Sequence, residues 1–171
     1  MLTAAPAPPI IAFSAGGTWG AYGAGIVAGW RARPDFQLVT GVSTGSIIAY
    51  LTFAGPEFDP LLAEFYRDVA LDDVYRIDVP GVLVGRPSVA SARRFERLAA
   101  DTVPRAFPAV RANAAEGRTL LVGAVDVDDG TFRTFDLSAA AQDVEADAAP
   151  CIAEAILASA AIPVLAPPRV V

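Results

Sequence analysis

Apolar residues in this chain come in short unbroken runs set between glycine- and proline-rich turns, with longer stretches at helical spacing between them. Ile10 to Ser14 is continuous and apolar, as a central parallel strand would be. Ala21 to Arg31 carries Tyr22, Ile26, Val27 and Trp30 at helix-like spacing, and Pro34 closes it. Phe36 to Thr40 is a second buried strand. A strand, a helix and a strand in this order form a βαβ unit with a right-handed crossover. Ser46 opens a helix that runs to Ala54 and stops at Gly55-Pro56. Asp59 or Pro60 starts another, with Leu61, Leu62, Phe65 and Val69 apolar.

Leu71 to Pro87 reads as an irregular connector with turns at Pro80-Gly81 and Arg86-Pro87. Ser88 to Val103 is an amphipathic helix whose wet face holds Arg93, Arg94, Glu96 and Arg97. Phe107 to Glu116 is a further helix, closed by Gly117. Thr119 to Val125 is the third clear strand, Asp128-Asp129-Gly130 a hairpin turn, and Thr131 to Phe135 its returning strand. Ala148 to Ala160 is an Ala-rich buried helix ended by Ile162-Pro163. The alternation predicts an α/β fold, a three-layer α/β/α sandwich with a mostly parallel sheet. Residues 1–9 are expected to be a flexible leader and residues 10–171 one domain.

Composition changes this picture by what it excludes. A net charge of −6 argues against nucleic acid as a partner and disfavours anionic membranes. Thr3 to Trp30 is uncharged, but its glycines and prolines fit a buried strand, a turn and a buried helix better than a membrane span. No basic region opens the chain as in a secretory signal, and a cytoplasmic location is favoured. The single cysteine, Cys151, excludes an intrachain disulfide. Histidine and lysine are absent, and all 13 basic residues are arginine. A Ser-His-Asp triad or a Ser-Lys dyad cannot be built from such a chain, and arginine stays protonated.

The chemistry therefore centres on Gly41-Val42-Ser43-Thr44-Gly45, a Gly-x-Ser-x-Gly between a strand and a helix. A serine on such a turn is a nucleophile elbow, and Ser43 is the candidate nucleophile. Gly41 and Gly45 fit a turn too sharp for side chains, with positive φ expected there. In a parallel sheet the first loop lies beside the elbow. The N–H groups of Gly16, Gly17 and Thr18 can then form an oxyanion hole. Gly23, Gly25 and Gly29 suit close helix packing. The strict Gly-x-Gly-x-x-Gly spacing of a dinucleotide fingerprint is absent.

Three motifs in order resemble a patatin-like phospholipase domain. They are the glycine-rich loop Ser14-Ala15-Gly16-Gly17-Thr18-Trp19-Gly20-Ala21-Tyr22, the elbow Gly41 to Gly45, and Ala158-Ser159-Ala160-Ala161-Ile162-Pro163 with Pro167-Pro168 after it. The resemblance spans nearly the whole chain and covers the N-terminal two-thirds of the family's domain. It implies a lipid acyl hydrolase working with a Ser-Asp dyad on acyl-lipid or ester substrates. It implies no metal and no organic cofactor, and it leaves peripheral membrane contact open. The family has an arginine or lysine in the glycine-rich loop where this chain has Trp19. Its base aspartate lies in an Asp-Gly-Gly or Asp-Gly-Ala motif beyond the Ala-Ser-x-Ala-x-Pro segment, and the 171 residues stop before such a motif. The one Asp-Gly here, Asp129-Gly130, is at the wrong place in the order.

Three origins for the base are compatible with this pattern. It sits on another segment or a second chain; the chain keeps the fold without full activity; or another carboxylate such as Asp126 serves, although the ordinary role of Asp126 is capping the hairpin. The second origin defines the alternative reading, an inactive lipid-binding or protein-interaction domain of the same fold.

Overall fold

The computed structural model describes residues 7–68, 76–77, 90–91, 93–143, 147–161, 169 and 171. The elements are β1 (Ile10–Phe13), α1 (Gly20–Gly29), β2 (Leu38–Val42), α2 (Thr44–Ala54), α3 (Asp59–Asp68), β3 (Arg76–Ile77), β4 (Ala90–Ser91), α4 (Arg93–Ala115), β5 (Thr119–Val125), β6 (Phe132–Asp136), α5 (Leu137–Gln142) and α6 (Ala148–Ala160). The main sheet has the order β1-β2-β5-β6. β1 and β2 pair in parallel, Phe13 opposite Gly41; β2 and β5 pair in parallel, Val42 opposite Gly123. β6 returns antiparallel along β5, with Val125 opposite Phe132. This is an α/β fold with an open, mostly parallel sheet and helices around it.

The core lies between the sheet and α2. Every residue from Thr44 to Ala54 is buried. The strands present Val39, Leu120 and Val122 to it, and α4 closes the far side with Phe95, Ala99, Val103, Ala106 and Val110. That spacing of three and four residues is one stripe of a helix. Two side-chain bonds pin α4 to α2. The Tyr50 hydroxyl donates to the Val103 carbonyl at 2.9 Å, and Asn113 Nδ2 donates to the Phe53 and Ala54 carbonyls at 2.7 and 2.9 Å. The side chain of Arg33 is buried, pairs with Asp59 at 2.7 Å and donates to the Val27 carbonyl, tying the end of α1 to the start of α3.

Several boundaries differ from the sequence reading. β2 runs from Leu38 to Val42, two residues later than expected, because Trp30, Phe36 and Arg33 build the connection before it. β1 is an edge strand among the described residues, not a central one. The helices expected over 88–103 and 107–116 are one, Arg93–Ala115; β3, inside the stretch taken as irregular, pairs antiparallel with β4, which takes the place of the first residues of the expected helix. α4 continues through Pro104 and Pro108 because both sit on its exposed side. The carbonyls of Ala100 and Pro104 that lose an N–H partner there are open to water. Gly117, at φ 85, ends α4 with two crossed bonds, Gly117 N–H to the Ala114 carbonyl and Arg118 N–H to the Asn113 carbonyl. In α1 only Gly20, Ala24 and Val27 are buried, so Tyr22, Ile26 and Trp30 face outward, contrary to the buried helix expected. Gly23 meets Ile48, but Gly25 and Gly29 face open space and serve no packing contact. α5, capped by Asp136, was not read from the sequence; α2 and α3 stop and start around Gly55-Pro56 and Asp59 as read, the 126–131 turn joins β5 to β6, and α6 spans Ala148 to Ala160. Val69, most of 71–87 and the Ile162 to Pro168 segment lie outside the described residues.

Burial raises the phenol pKa values of Tyr50 and Tyr66 above the ordinary tyrosine range; for Tyr66 a hydrogen bond with Thr44 acts weakly the other way. The folded chain then holds protons that the unfolded chain releases. Stability is full below the unfolded tyrosine value of about 10 and falls as pH rises through it toward the folded values. Urea titrations at pH 8 and pH 11 are expected to give a lower midpoint at the higher pH. Tyr50→Phe is expected to cost about 1 kcal/mol at pH 8 and to flatten the pH dependence.

Candidate active site

The site follows from the register of β1 against β2. Both strands end on one edge of the sheet, so the loop after Phe13 and the turn after Val42 are neighbours. The approach is closer than a side chain permits. A Cβ on Gly45 would stand 2.5 Å from the Phe13 carbonyl oxygen and 2.7 Å from that of Ser14. A Cβ on Gly41 would stand 2.2 Å from the Gly45 carbonyl oxygen and 2.8 Å from the Ala49 methyl. Both glycines are thus required by proximity. The positive φ expected of them falls instead on Ser43, at φ 56 and ψ −126, among the described residues the one non-glycine in the left-handed half of backbone space. That conformation suits glycine and costs about 1–3 kcal/mol for a side chain.

The strain is held by bonds on both sides of the turn. Ser43 N–H donates to Ser159 Oγ at 2.7 Å, and the Ser159 hydroxyl donates to the Gly123 carbonyl at 2.6 Å. Ser159, from the last turn of α6, therefore links the elbow to β5. On the other side, the Ser46 hydroxyl and N–H both donate to the Ser43 carbonyl, at 2.6 and 2.9 Å. Next along, the Tyr66 hydroxyl donates to the Thr44 carbonyl at 2.9 Å and lies 2.5 Å from Thr44 Oγ1. With its one proton committed to the carbonyl, Tyr66 accepts from the Thr44 hydroxyl. Gly20 packs onto this pair; a Cβ there would stand 2.2 Å from Thr44 Oγ1 and 2.7 Å from the Tyr66 hydroxyl.

The glycine loop opens a short 3₁₀ turn at Gly17–Trp19, with Trp19 N–H bonded to the Gly16 carbonyl at 3.1 Å. Gly17 has φ 55 and open space where a side chain would be. Leading N–H groups of a helical turn, here those of Gly17 and Thr18, have no acceptor within it. Trp19 is exposed. Gly16, Gly17 and Thr18 are thus gathered with Ser43 at one sheet edge, together with Gly41 and Gly45.

No carboxylate among the described residues is hydrogen-bonded to the Ser43 side chain. Asp126 lies beyond the end of β5 and is used by the hairpin. Its Oδ1 accepts from Asp128 N–H at 3.0 Å and its Oδ2 from Arg133 at 3.3 Å. Asp129 is likewise engaged by the Thr131 hydroxyl and N–H, which, with Arg133, hold its carboxyl below the ordinary range. Among the described residues no group of three or more His, Cys, Asp or Glu could hold a metal ion, and no helix is long and apolar enough to cross a membrane. Two partners of the elbow were not read from sequence. Ser159 was visible as the one hydroxyl in an Ala-rich helix, and Tyr66 as an aromatic inside the helix expected after Asp59.

Two substitutions separate strain from support. Ser43→Gly is expected to raise stability by about 1 kcal/mol in denaturant unfolding, because glycine adopts this backbone without cost; Ser43→Ala keeps the strain and gains nothing comparable. Ser159→Ala is expected to cost about 1–3 kcal/mol, since it strips partners from Ser43 N–H and the Gly123 carbonyl together; Ser159→Thr, which keeps the hydroxyl, is expected to lose less.

The sequence matches the family model described as Patatin-like phospholipase over residues 11–171. Neither the curated proteins nor the solved structures gave a significant match. The family model takes in β1, the glycine loop, the elbow and Ser159 in one continuous match, and on that extent the chain belongs to the patatin-like phospholipase family.

Proposed function

We propose that the chain is a lipid acyl hydrolase whose nucleophile is Ser43. The family supports lipid or ester substrates and hydrolysis in general. The observation that carries the finer reading is the backbone of Ser43, held at φ 56 on the turn from β2 to α2 by Ser159 and Ser46. Such strain persists where surrounding structure over-determines it, and it sets a serine hydroxyl proud of the sheet edge.

In this reading Ser43 Oγ attacks the ester carbonyl carbon while an aspartate takes its proton. The N–H groups of Gly16, Gly17 and Thr18 hold the tetrahedral oxyanion. The alcohol leaves with the proton, and the same aspartate then draws a proton from the water that frees the acid and regenerates Ser43. Each oxyanion donor contributes on the order of 10²–10³ in rate. The absence of histidine and lysine from the chain is what selects a carboxylate as base. The hydrogen bonds at Asp126 and Asp129 argue against either of them. We place the base on an aspartate brought to the elbow by a further segment or a second chain. The alternative, a domain of the same fold that binds lipid or protein without turnover, differs in one measurable respect.

A fluorophosphonate probe is expected to label the chain at Ser43, and Ser43→Ala to abolish the label. A short p-nitrophenyl ester supplied to the full protein is expected to turn over at a rate that Ser43→Ala lowers by at least a thousandfold. Labelling and turnover that are indifferent to Ser43→Ala would remove the enzyme reading and leave the binding domain.

A further inference from the structure

Helix α1 carries no charged side chain and, apart from the phenol of Tyr22, no polar one from Gly20 to Gly29, yet most of it is exposed. A helix that is apolar all round ordinarily lies inside a protein or a membrane. Its buried side, Gly20, Ala24 and Val27, rests on α2 and α3. On the opposite side Trp19, Tyr22, Ile26 and Trp30 follow one another three or four residues apart, within one arc of the helix. They are 81%, 74%, 50% and 42% exposed.

We infer that this face of α1 seats the protein on a zwitterionic lipid surface. Three observations carry the inference. The residue types are those of a water–lipid boundary, with two indoles and a phenol around an aliphatic side chain. The charge pattern fits an uncharged or zwitterionic surface: Thr3 to Trp30 bears no charge in a chain of net −6, and the exposed Arg31 follows at once, placed for a lipid phosphate. The area is too small for a second copy. With large side chains of ~150–250 Å² each, the four exposures amount to roughly 500 Å², against about 800 Å² per partner in a stable interface. The head of α1 also adjoins the elbow, because Gly20, next to Trp19, packs directly on Thr44, the neighbour of Ser43. A bilayer met by α1 therefore lies beside the site where an acyl ester would be attacked. The choice of lipid as the surface rests on the lipid-ester reading above; the seating itself does not depend on turnover.

The two tryptophans of the chain, Trp19 and Trp30, are both on this face, so intrinsic fluorescence reports it directly. The Ser43→Ala protein, mixed with phosphatidylcholine vesicles, is expected to sediment with them and to shift its emission to the blue. Vesicles enriched in phosphatidylserine are expected to bind less, given the net charge. The double variant Tyr22→Ser, Ile26→Ser, whose circular dichroism should match the parent because both side chains are exposed, is expected to bind phosphatidylcholine at least tenfold more weakly. No sedimentation and no shift, or a double variant that binds as well as its parent, overturns the inference. So does a concentration-dependent dimer that the double variant abolishes. Vesicle binding by an unsubstituted chain that the fluorophosphonate fails to label counts against the hydrolase and leaves the lipid face standing.

Discussion

The structure depends on one close approach, the backbone of Gly45 against the carbonyl oxygens of Phe13 and Ser14. It brings the head of a wholly buried helix onto the end of the first strand. The parallel register of β1 with β2 sets the height of both, and Gly41 gives the room for the chain to turn between them. Everything placed at that sheet edge is referenced to this contact: the glycine loop on one side, the serine on the other. A methyl group at either glycine would have to displace main chain, which a close-packed interior resists.

The turn is not relaxed, and the surrounding chain accounts for that. Ser43 takes a backbone conformation that favours glycine, while its N–H and its carbonyl are both fixed by serine hydroxyls, Ser159 and Ser46. The next residue is fixed by Tyr66. These bonds come from α6, α2 and α3, so the elbow is gripped from three helices that all pack on α4, two of them, α2 and α6, also on the sheet. Small polar groups in an apolar setting make good clamps, because each loses water and must keep its partner.

Much of this was legible in the residues. Unbroken apolar runs gave the three parallel strands, and Gly41 to Gly45 between a strand and a helix gave the elbow. What could not be read was non-local. Two helices were read where α4 is one; that it runs on through Pro104 and Pro108, both on its wet side, is known only once Val103 and Ala106 are seen to face the core. β1 looks central because its residues are apolar, whereas its edge position depends on which strands pair with it. The apolar residues of α1 similarly looked like core, since spacing gives a face but not its neighbour. The positive φ was assigned to glycines on intrinsic preference, and the fold imposes it on the serine instead. Ser159 carried no periodic or spacing signal linking it to a turn far away in sequence.

That distance has a bearing on the order in which the turn around Ser43 takes shape. The bond from Ser43 to Ser159 spans 116 residues, and Ser159 reaches Gly123 on a strand formed in between. Contacts of such separation are slow to close, and a chain emerging from the ribosome acquires its N-terminal part first. β1, the glycine loop, β2 and the start of α2 can assemble early, but with Ser43 lacking the partner of its N–H. The strained geometry is completed only when α6 has been made and docked. The strained serine is thus set in place late, after the core that shelters it already exists.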